Sequence, residues 1–330
     1  MSSDYADDAV DKALERSDFF KRARGSLGPL IALILICAVM AFLSKSFLTA
    51  GNWLNILQQV SMVSIIAAGM TFVILMGGID LSVGSIVAFT GLITAALMKY
   101  YNIDPWQAVA LGIASGAFLG FLNGIMVAYM ALPPFIATLG MMSIARGGAF
   151  TITNGDTIFS LPDPFLIISE RIGRIPIPAI IMLITFLVCG YVLNFTRLGR
   201  YTYAIGGNET ASLLSGINVM RCKTAIFTIS GLCCAISAML LTSRLDSATP
   251  VAAEGIELDA IAAVVIGGTS MMGGEGRISG TIIGVLIMGV VNNGMNLLFI
   301  PQGPQKIVKG AIIVIAVMVD IIRKSRQGNN

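Results

Sequence analysis

Histidine is absent from this chain of 330 residues, and charge of either sign is scarce. Without an imidazole the sequence lacks the usual general base, the commonest metal ligand and both the Ser–His and Cys–His nucleophile pairs. Aspartate, glutamate, lysine and arginine make up 12% of the residues, where a soluble domain carries about 25%. A chain that is 56% hydrophobic lacks the polar surface to dissolve as a globule. No GxxxxGK run followed by Ser or Thr occurs, so a phosphate-cradling loop of that type is excluded. The formal net charge is +3, with no basic patch of the size nucleic acid requires. Cys37, Cys189, Cys222, Cys233 and Cys234 lie in or beside apolar runs with neither CxxC nor Cys/His spacing. They read as small packing residues rather than as a disulfide or zinc framework. No metal or cofactor of the chain's own is expected.

What the sequence has is long apolar runs. A helix needs about 20 mostly apolar residues to cross the hydrocarbon layer. Eight segments meet this clearly, at 27–44, 56–76, 81–98, 106–132, 178–195, 222–242, 280–298 and 306–322. Two shorter ones, 133–150 and 258–271, complete a set of ten. Orientation follows from Lys and Arg in short loops, which stay in the cytoplasm. Lys21, Arg22 and Arg24 precede the first span; Arg197, Arg200, Arg221 and Lys223 flank the loop after the sixth; Arg323, Lys324 and Arg326 follow the last. Both intervals hold an even number of spans, so both termini are expected inside. The fold class is therefore an all-α polytopic membrane protein of about ten transmembrane helices. It divides into a mixed-charge tail at 1–26 without a signal-peptide pattern, a membrane domain at 27–322 and a short tail at 323–330. The loops 151–177 and 243–257 then fall outside, and Trp53 and Trp106 sit at span ends.

Glycine is abundant, at 36 residues. Gly112, Gly116, Gly120 and Gly124 share one helical face, and Gly280, Gly284 and Gly289 nearly share another, a spacing that lets helix backbones approach closely in lipid. Two echoes hint at an internal repeat: Val73 to Gly78 against Val264 to Gly268, and Asn123-Gly124 against Asn293-Gly294.

Four segments stand out. In Gly77 to Ser85 two glycines break a helix, and Asp80 and Ser82 either cap the next one or meet a transported solute. In the loop at about 201–221, Asn208 suits an N-cap, Glu209 a first turn, Ala211, Leu213 and Leu214 a short apolar face, and Gly216 a stop. A short helix so presented to the cytoplasm suits a groove on a partner protein. In Glu257 to Arg277 two acids, Glu257 and Asp259, open a span and a glycine-rich turn closes it. In the ninth span Asn292, Asn293 and Asn296 need partners or water.

At these segments the sequence resembles the ribose-type monosaccharide permeases of bacterial ABC importers, from about Phe47 to about Asp320. The motifs that carry the resemblance are GMTFVIL at 69–75, GIDLSVG at 78–84, PFIATLG at 134–140, TRLGRY at 196–201, GGNE at 206–209, SGINV at 215–219 and the run 257–280. Gly303-Pro304-Gln305 and Met271-Met272 depart from the usual pattern. The resemblance implies a permease in the bacterial inner membrane that pairs with a second copy of itself, with an ABC ATP-binding subunit that holds ATP and Mg, and with a periplasmic sugar-binding protein. It implies that Gly206, Gly207, Asn208, Glu209, Ala211, Leu214, Ser215 and Gly216 form the element coupled to the ATPase. A neutral sugar calls for amides and hydroxyls along its path, which Asn123, Thr269, Ser270, Asn292, Asn293 and Asn296 could supply, and Asp80 and Ser82 are further candidates for that path. Arg171, Arg174 and Arg244 are candidates for contact with the binding protein. Three other readings were open: a branched-chain amino acid permease, a proton- or sodium-coupled carrier, and an intramembrane enzyme. The latter two would want deep ionisable groups or a base for a nucleophile, and the sequence offers few.

Overall fold

The computed structural model describes residues 28–327, with side chains to residue 322. The expectations for the N-terminal tail and its basic cluster, and for the side chains of Arg323, Lys324 and Arg326, lie outside the described residues. The helices run α1 (Gly28–Leu43), α2 (Ala50–Leu75), α3 (Val83–Tyr100), α4 (Pro105–Ala128), α5 (Pro134–Thr153), the short α6 (Asp163–Leu166), α7 (Ile177–Phe195), α8 (Arg197–Gly207), α9 (Glu209–Leu214), α10 (Val219–Leu245), α11 (Ile256–Ile266), α12 (Ile278–Leu297) and α13 (Gln302–Gln327). Every one of the ten expected segments coincides with a helix. Seven of them, α2, α3, α4, α5, α7, α10 and α12, are long and apolar enough to cross a membrane. The helical, multi-pass class is thus established.

Local chemistry sets the boundaries. Thr49 accepts a hydrogen bond from Asn52 N and starts α2 six residues before the apolar run begins. Asp104 accepts from Trp106 N and Gln107 N, with Pro105 in the first turn of α4. That helix stops at Ala128 rather than 132, because Ala131 is left-handed and Pro133-Pro134 follow. Helix α11 departs most from expectation. It has 11 residues, about 16 Å at the α-helical rise, and it ends at Ile266 instead of 271. Gly268 takes a positive φ of 89°. Its N–H and that of Thr269 return to Val265 O and Val264 O, the paired bonds of a Schellman stop. Gly77 and Gly78 end α2 by the same two bonds, to Ile74 O and Val73 O. The first sequence echo is therefore one motif built twice. The second is not, since Asn123 lies on α4 while Asn293 lies on α12, the helix after α11.

Helices α2, α3, α10 and α12 form the inner layer, with α4, α5 and α7 outside them. The glycine face of α4 packs on α10. A Cβ on Gly116 would meet Ala235 Cβ at 2.6 Å, one on Gly120 would overlap Phe227 O, and one on Gly124 would meet Thr224 Cα at 2.6 Å. Gly280 and Gly284 likewise bring α12 onto the backbone of α11 at Gly267 and Ala263. In lipid, such contact stands in for the hydrophobic drive that holds soluble helices together.

Two small ladders add to the all-α expectation. β1 (Ile158–Phe159) pairs antiparallel with β4 (Ser247–Ala248), and β2 (Arg171–Ile172) with β3 (Ile175–Pro176). The first ladder, with Leu161 N donating to Asp246 Oδ1 at 2.8 Å, joins the two loops expected outside, so they share one side. The second of those loops does not stay at that surface. Arg146 of α5 donates to Pro250 O and Ala252 O, and Ala253 O lies against Gly84. The turn segment after β4 therefore descends among the helices and enters α11 from within the bundle.

Candidate functional site

On the side opposite that ladder, α7 turns into α8 and α9. Thr196 caps α8 at Gly199 N, and Asn208 caps α9 by accepting from Ala211 N at 2.9 Å. Gly216, with φ 81°, closes α9 by a Schellman pair, its N–H to Leu213 O and that of Ile217 to Ser212 O. Ser215 Oγ donates back to Ala211 O. Glu209 pairs with Lys223 of α10 at 2.6 Å, which pins the first turn. The cap, acid and stop read from the sequence are each in place. Exposed on the helix are Ala211, Leu213 and Leu214, the last at 83%. An exposed apolar tip on a rigidly capped helix is the chemistry of a protein-docking knob.

Gly206 and Gly207, by contrast, face inward and outward respectively. Gly206 sits against the end of α2 and the loop after α11, and a Cβ there would overlap Leu75 O. A Cβ on Gly207 would meet nothing within 4 Å. Gly274 N donates to Leu75 O at 2.8 Å, and the Tyr203 hydroxyl donates to Gly276 O at 2.9 Å. Burial raises the Tyr203 phenol above its usual range, and Arg277 nearby partly lowers it.

The residues singled out for a solute path fall into three places. Asp80, Ser82 and Asn123 come together, all at 0% exposure. Asp80 Oδ1 accepts from the backbone and hydroxyl of Ser82, Oδ2 accepts from Ser230 Oγ at 2.9 Å, and Asn123 Nδ2 donates to Ser82 Oγ at 2.8 Å. Ser82 stands at the N-cap of α3 but makes no side-chain cap, and Asp80, two residues ahead, accepts from Ser82 itself and from no N–H of the helix, so neither side chain caps α3 as expected. Ser230, 150 residues from Asp80, carried no sequence signal. The second place is the loop after α11. There Ser270 Oγ and Met271 N donate to Asp320 Oδ2 of α13, each at 3.2 Å, while the buried Thr269 hydroxyl has no partner.

The third place is α12. Asn293 and Asn52 of α2 exchange both amide bonds, at 3.0 and 2.9 Å, which makes Asn293 a helix clamp. Asn296 accepts from Gln305 of α13 at 3.0 Å. Asn292 borders a cavity of about 110 Å³ between α2 and α12, lined by Gln59, Val60, Val63, Val285, Met288, Gly289 and Asn292. Its Oδ1 is buried without a partner. Gln59 was missed in the sequence because the pair Gln58-Gln59 falls near the start of the apolar run 56–76 and matches no motif.

Arg171 and Arg174 stand exposed on the β2–β3 hairpin, and Arg244 is half-buried in the last turn of α10. The structure thus groups the first two and leaves the third apart. Among the described residues no cluster of three or more Cys, Asp or Glu could hold a metal ion. An ion pair joins α11 to α13, Lys309 Nζ to Asp259 Oδ2 at 2.7 Å.

Comparison with known proteins gives consistent results. Residues 52–317 match the family described as branched-chain amino acid transport system / permease component. The ribose import permease protein RbsC of Bacillus subtilis (strain 168) is 48% identical over 89% of this chain and 92% of its own length. RbsC of Escherichia coli (strain K12) is 47% identical over 88% of this chain and 92% of its own. The D-allose transport system permease protein AlsC of Escherichia coli (strain K12) is 40% identical over 89% and 90%. No solved structure matches the chain.

Proposed function

From the premise that the chain belongs to the branched-chain amino acid transport system / permease component family, as one of its ribose-type ABC import permeases, we propose that it carries ribose or a close pentose. It is the multi-pass inner-membrane permease subunit of a monosaccharide importer, and it is not an enzyme. A separate subunit hydrolyses ATP, and a substrate-binding protein delivers the sugar. The observation that carries the choice of sugar is the 48% identity to a ribose permease across nearly the full length of both chains. Branched-chain amino acids appear in the family's description, but the relatives named above carry ribose and allose in their names.

The finer assignments are also ours. The chain crosses ten times, with both termini in the cytoplasm, the eighth crossing being made by the segment after β4 together with α11; α9 with its Leu213–Leu214 tip is the element coupled to the ATPase. Asn292, Gln59 and the unpartnered Thr269 offer hydrogen bonds to sugar hydroxyls. Asp80, Ser82, Asn123 and Ser230 hold the broken arm after α2 beside that path, and Asn293, Asn296 and Ser270 hold helices together. Arg171, Arg174 and Arg244 face the binding protein.

A second copy packs on α5. Two spans are equally unburied, α5 and α7 at 28%, yet α7 has a hydropathy of 2.2 and α5 only 1.3. The open face of α7 suits lipid. That of α5 carries Gly140, Ser143 and Gly147, with nothing within 4 Å of either glycine's missing Cβ, and suits another helix.

The test is uptake of labelled ribose and leucine in cells supplying this chain with its ATP-binding subunit and binding protein. Ribose uptake that the Leu214→Asp change abolishes, together with loss of the ATP-binding subunit in pull-down, is expected. Leucine uptake without ribose uptake refutes the assignment.

A further inference from the structure

The junction beneath α9 is made of backbone, with one side-chain hydroxyl beside it. Three chain segments meet there: the end of α2 at Leu75–Gly77, the end of α8 at Gly206–Gly207, and the loop after α11 at Gly273–Gly274. Gly274 N donates to Leu75 O at 2.8 Å and so ties the first to the third. Gly206 seats on that bond. A Cβ there would overlap Leu75 O and meet Gly274 N at 2.5 Å. A Cβ on Gly273 would meet Gly206 O and Gly77 N, each at 2.9 Å, and one on Gly274 would meet Gly207 Cα at 3.0 Å. Gly273 and Gly274 both hold positive φ, 81° and 75°, which fixes the turn that presents them. Tyr203, one turn back on α8, adds its hydroxyl to Gly276 O.

Side chains absorb small movements by changing rotamer, but peptide planes cannot. Glu209 opens α9 just beyond the junction, so displacement of α9 has no soft layer through which to dissipate. The two segments that receive it lead to different places. The end of α2 continues into the arm that carries Asp80, bonded to Ser230 of α10. The loop after α11 continues to Ser270 and Met271, bonded to Asp320 of α13.

We propose that Gly206 is the positioning residue of transport: its bare backbone delivers the movement of α9 at once to both broken helices, so that they shift together. The inference rests on the reading of α9 as the ATPase-coupled element. It goes further in naming the contact by which motion leaves that element.

The experiment uses the assembled transporter, this chain with its ATP-binding subunit and sugar-binding protein, in proteoliposomes. The readout is ATP hydrolysed per ribose imported. Gly206→Ala is expected to keep the ATP-binding subunit in pull-down, because Ala211, Leu213 and Leu214 are untouched. It is expected to raise ATP per ribose by about tenfold, the usual size of a coupling effect. Gly310→Ala, whose Cβ would meet nothing within 4 Å, leaves the ratio unchanged and controls for adding a methyl to a helix. Tyr203→Phe removes one bond at the same junction and is expected to raise the ratio about threefold; it decides the matter should Gly206→Ala fail to insert. A ratio equal to wild type in the variant that inserts, or loss of the ATP-binding subunit from Gly206→Ala, overturns the proposal. Failure of the underlying reading looks different: Leu214→Asp would then keep both the partner and the wild-type ratio.

Discussion

Replacing Lys309 by Met should destabilise the protein more than any surface change, because it strands a carboxylate inside the bundle. Asp259 is 7% exposed and, among the described residues, takes its one charged partner from α13, at 2.7 Å, while its Oδ1 has none. Breaking a buried pair costs about 3–5 kcal/mol. The Lys309 side chain is 27% exposed, so the low end, about 3 kcal/mol, applies. With an unfolding entropy near 2.1 cal/mol/K per residue over roughly 300 residues, this lowers the melting midpoint by about 5 °C. Intrinsic fluorescence of Trp53 and Trp106 during heating of detergent-solubilised protein reads it. The double change Asp259→Leu/Lys309→Met removes both charges and should recover most of the loss. Lys223→Met, which frees the half-exposed Glu209, should cost no more than about 1 kcal/mol. A Lys309→Met midpoint within a degree of wild type, or a double variant as unstable as the single one, would refute the account.

Gly120→Ala sets a methyl on Phe227 O and on the Gly231 backbone; a loss of about 1–3 kcal/mol in thermal stability is expected, with none for Gly310→Ala. Asn52→Ala and Asn293→Ala should be non-additive, with a coupling near 0.6 kcal/mol and at most about 1.7 kcal/mol in a double-mutant cycle. Asn292→Leu should cut ribose uptake roughly tenfold while leaving ATP-binding-subunit pull-down intact, as loss of one hydrogen-bonding group to the sugar would. Ser143→Cys, with Cys37 replaced, should crosslink two copies in membranes, whereas Leu187→Cys on α7 should not; equal crosslinking at both would remove α5 as the self-contact.

The sequence revealed most where structure is local. Asn208, Gly216 and the pair Gly77-Gly78 each act within five residues of themselves, and each cap or stop is where its chemistry required. Hydropathy located all ten helical segments but blurred their ends: it missed the polar first turn of α2 behind Thr49 and ran α11 through Gly267. The candidate path was harder. Asp80 and Asn293 were conspicuous as polar groups in apolar runs, yet their partners Ser230 and Asn52 are ordinary residues far away in the chain. Polarity in a span announces that a partner exists without saying which. It also cannot separate a residue that clamps helices, such as Asn293, from its neighbour Asn292, which borders a cavity.

The brevity of α11 has a consequence for how the protein is made. The membrane-insertion machinery recognises runs of about 20 apolar residues, and α11 has 11. Of the helices it packs on, α12 and α13 are synthesised after it. Asp259 meets Lys309 only when 50 further residues have left the ribosome. Until then α11 has no finished surroundings and its acid no counter-charge. The last helix is therefore also the act that completes the interior, and a chain cut short before α13 would present quality-control proteases with a naked carboxylate at the centre of an otherwise assembled bundle.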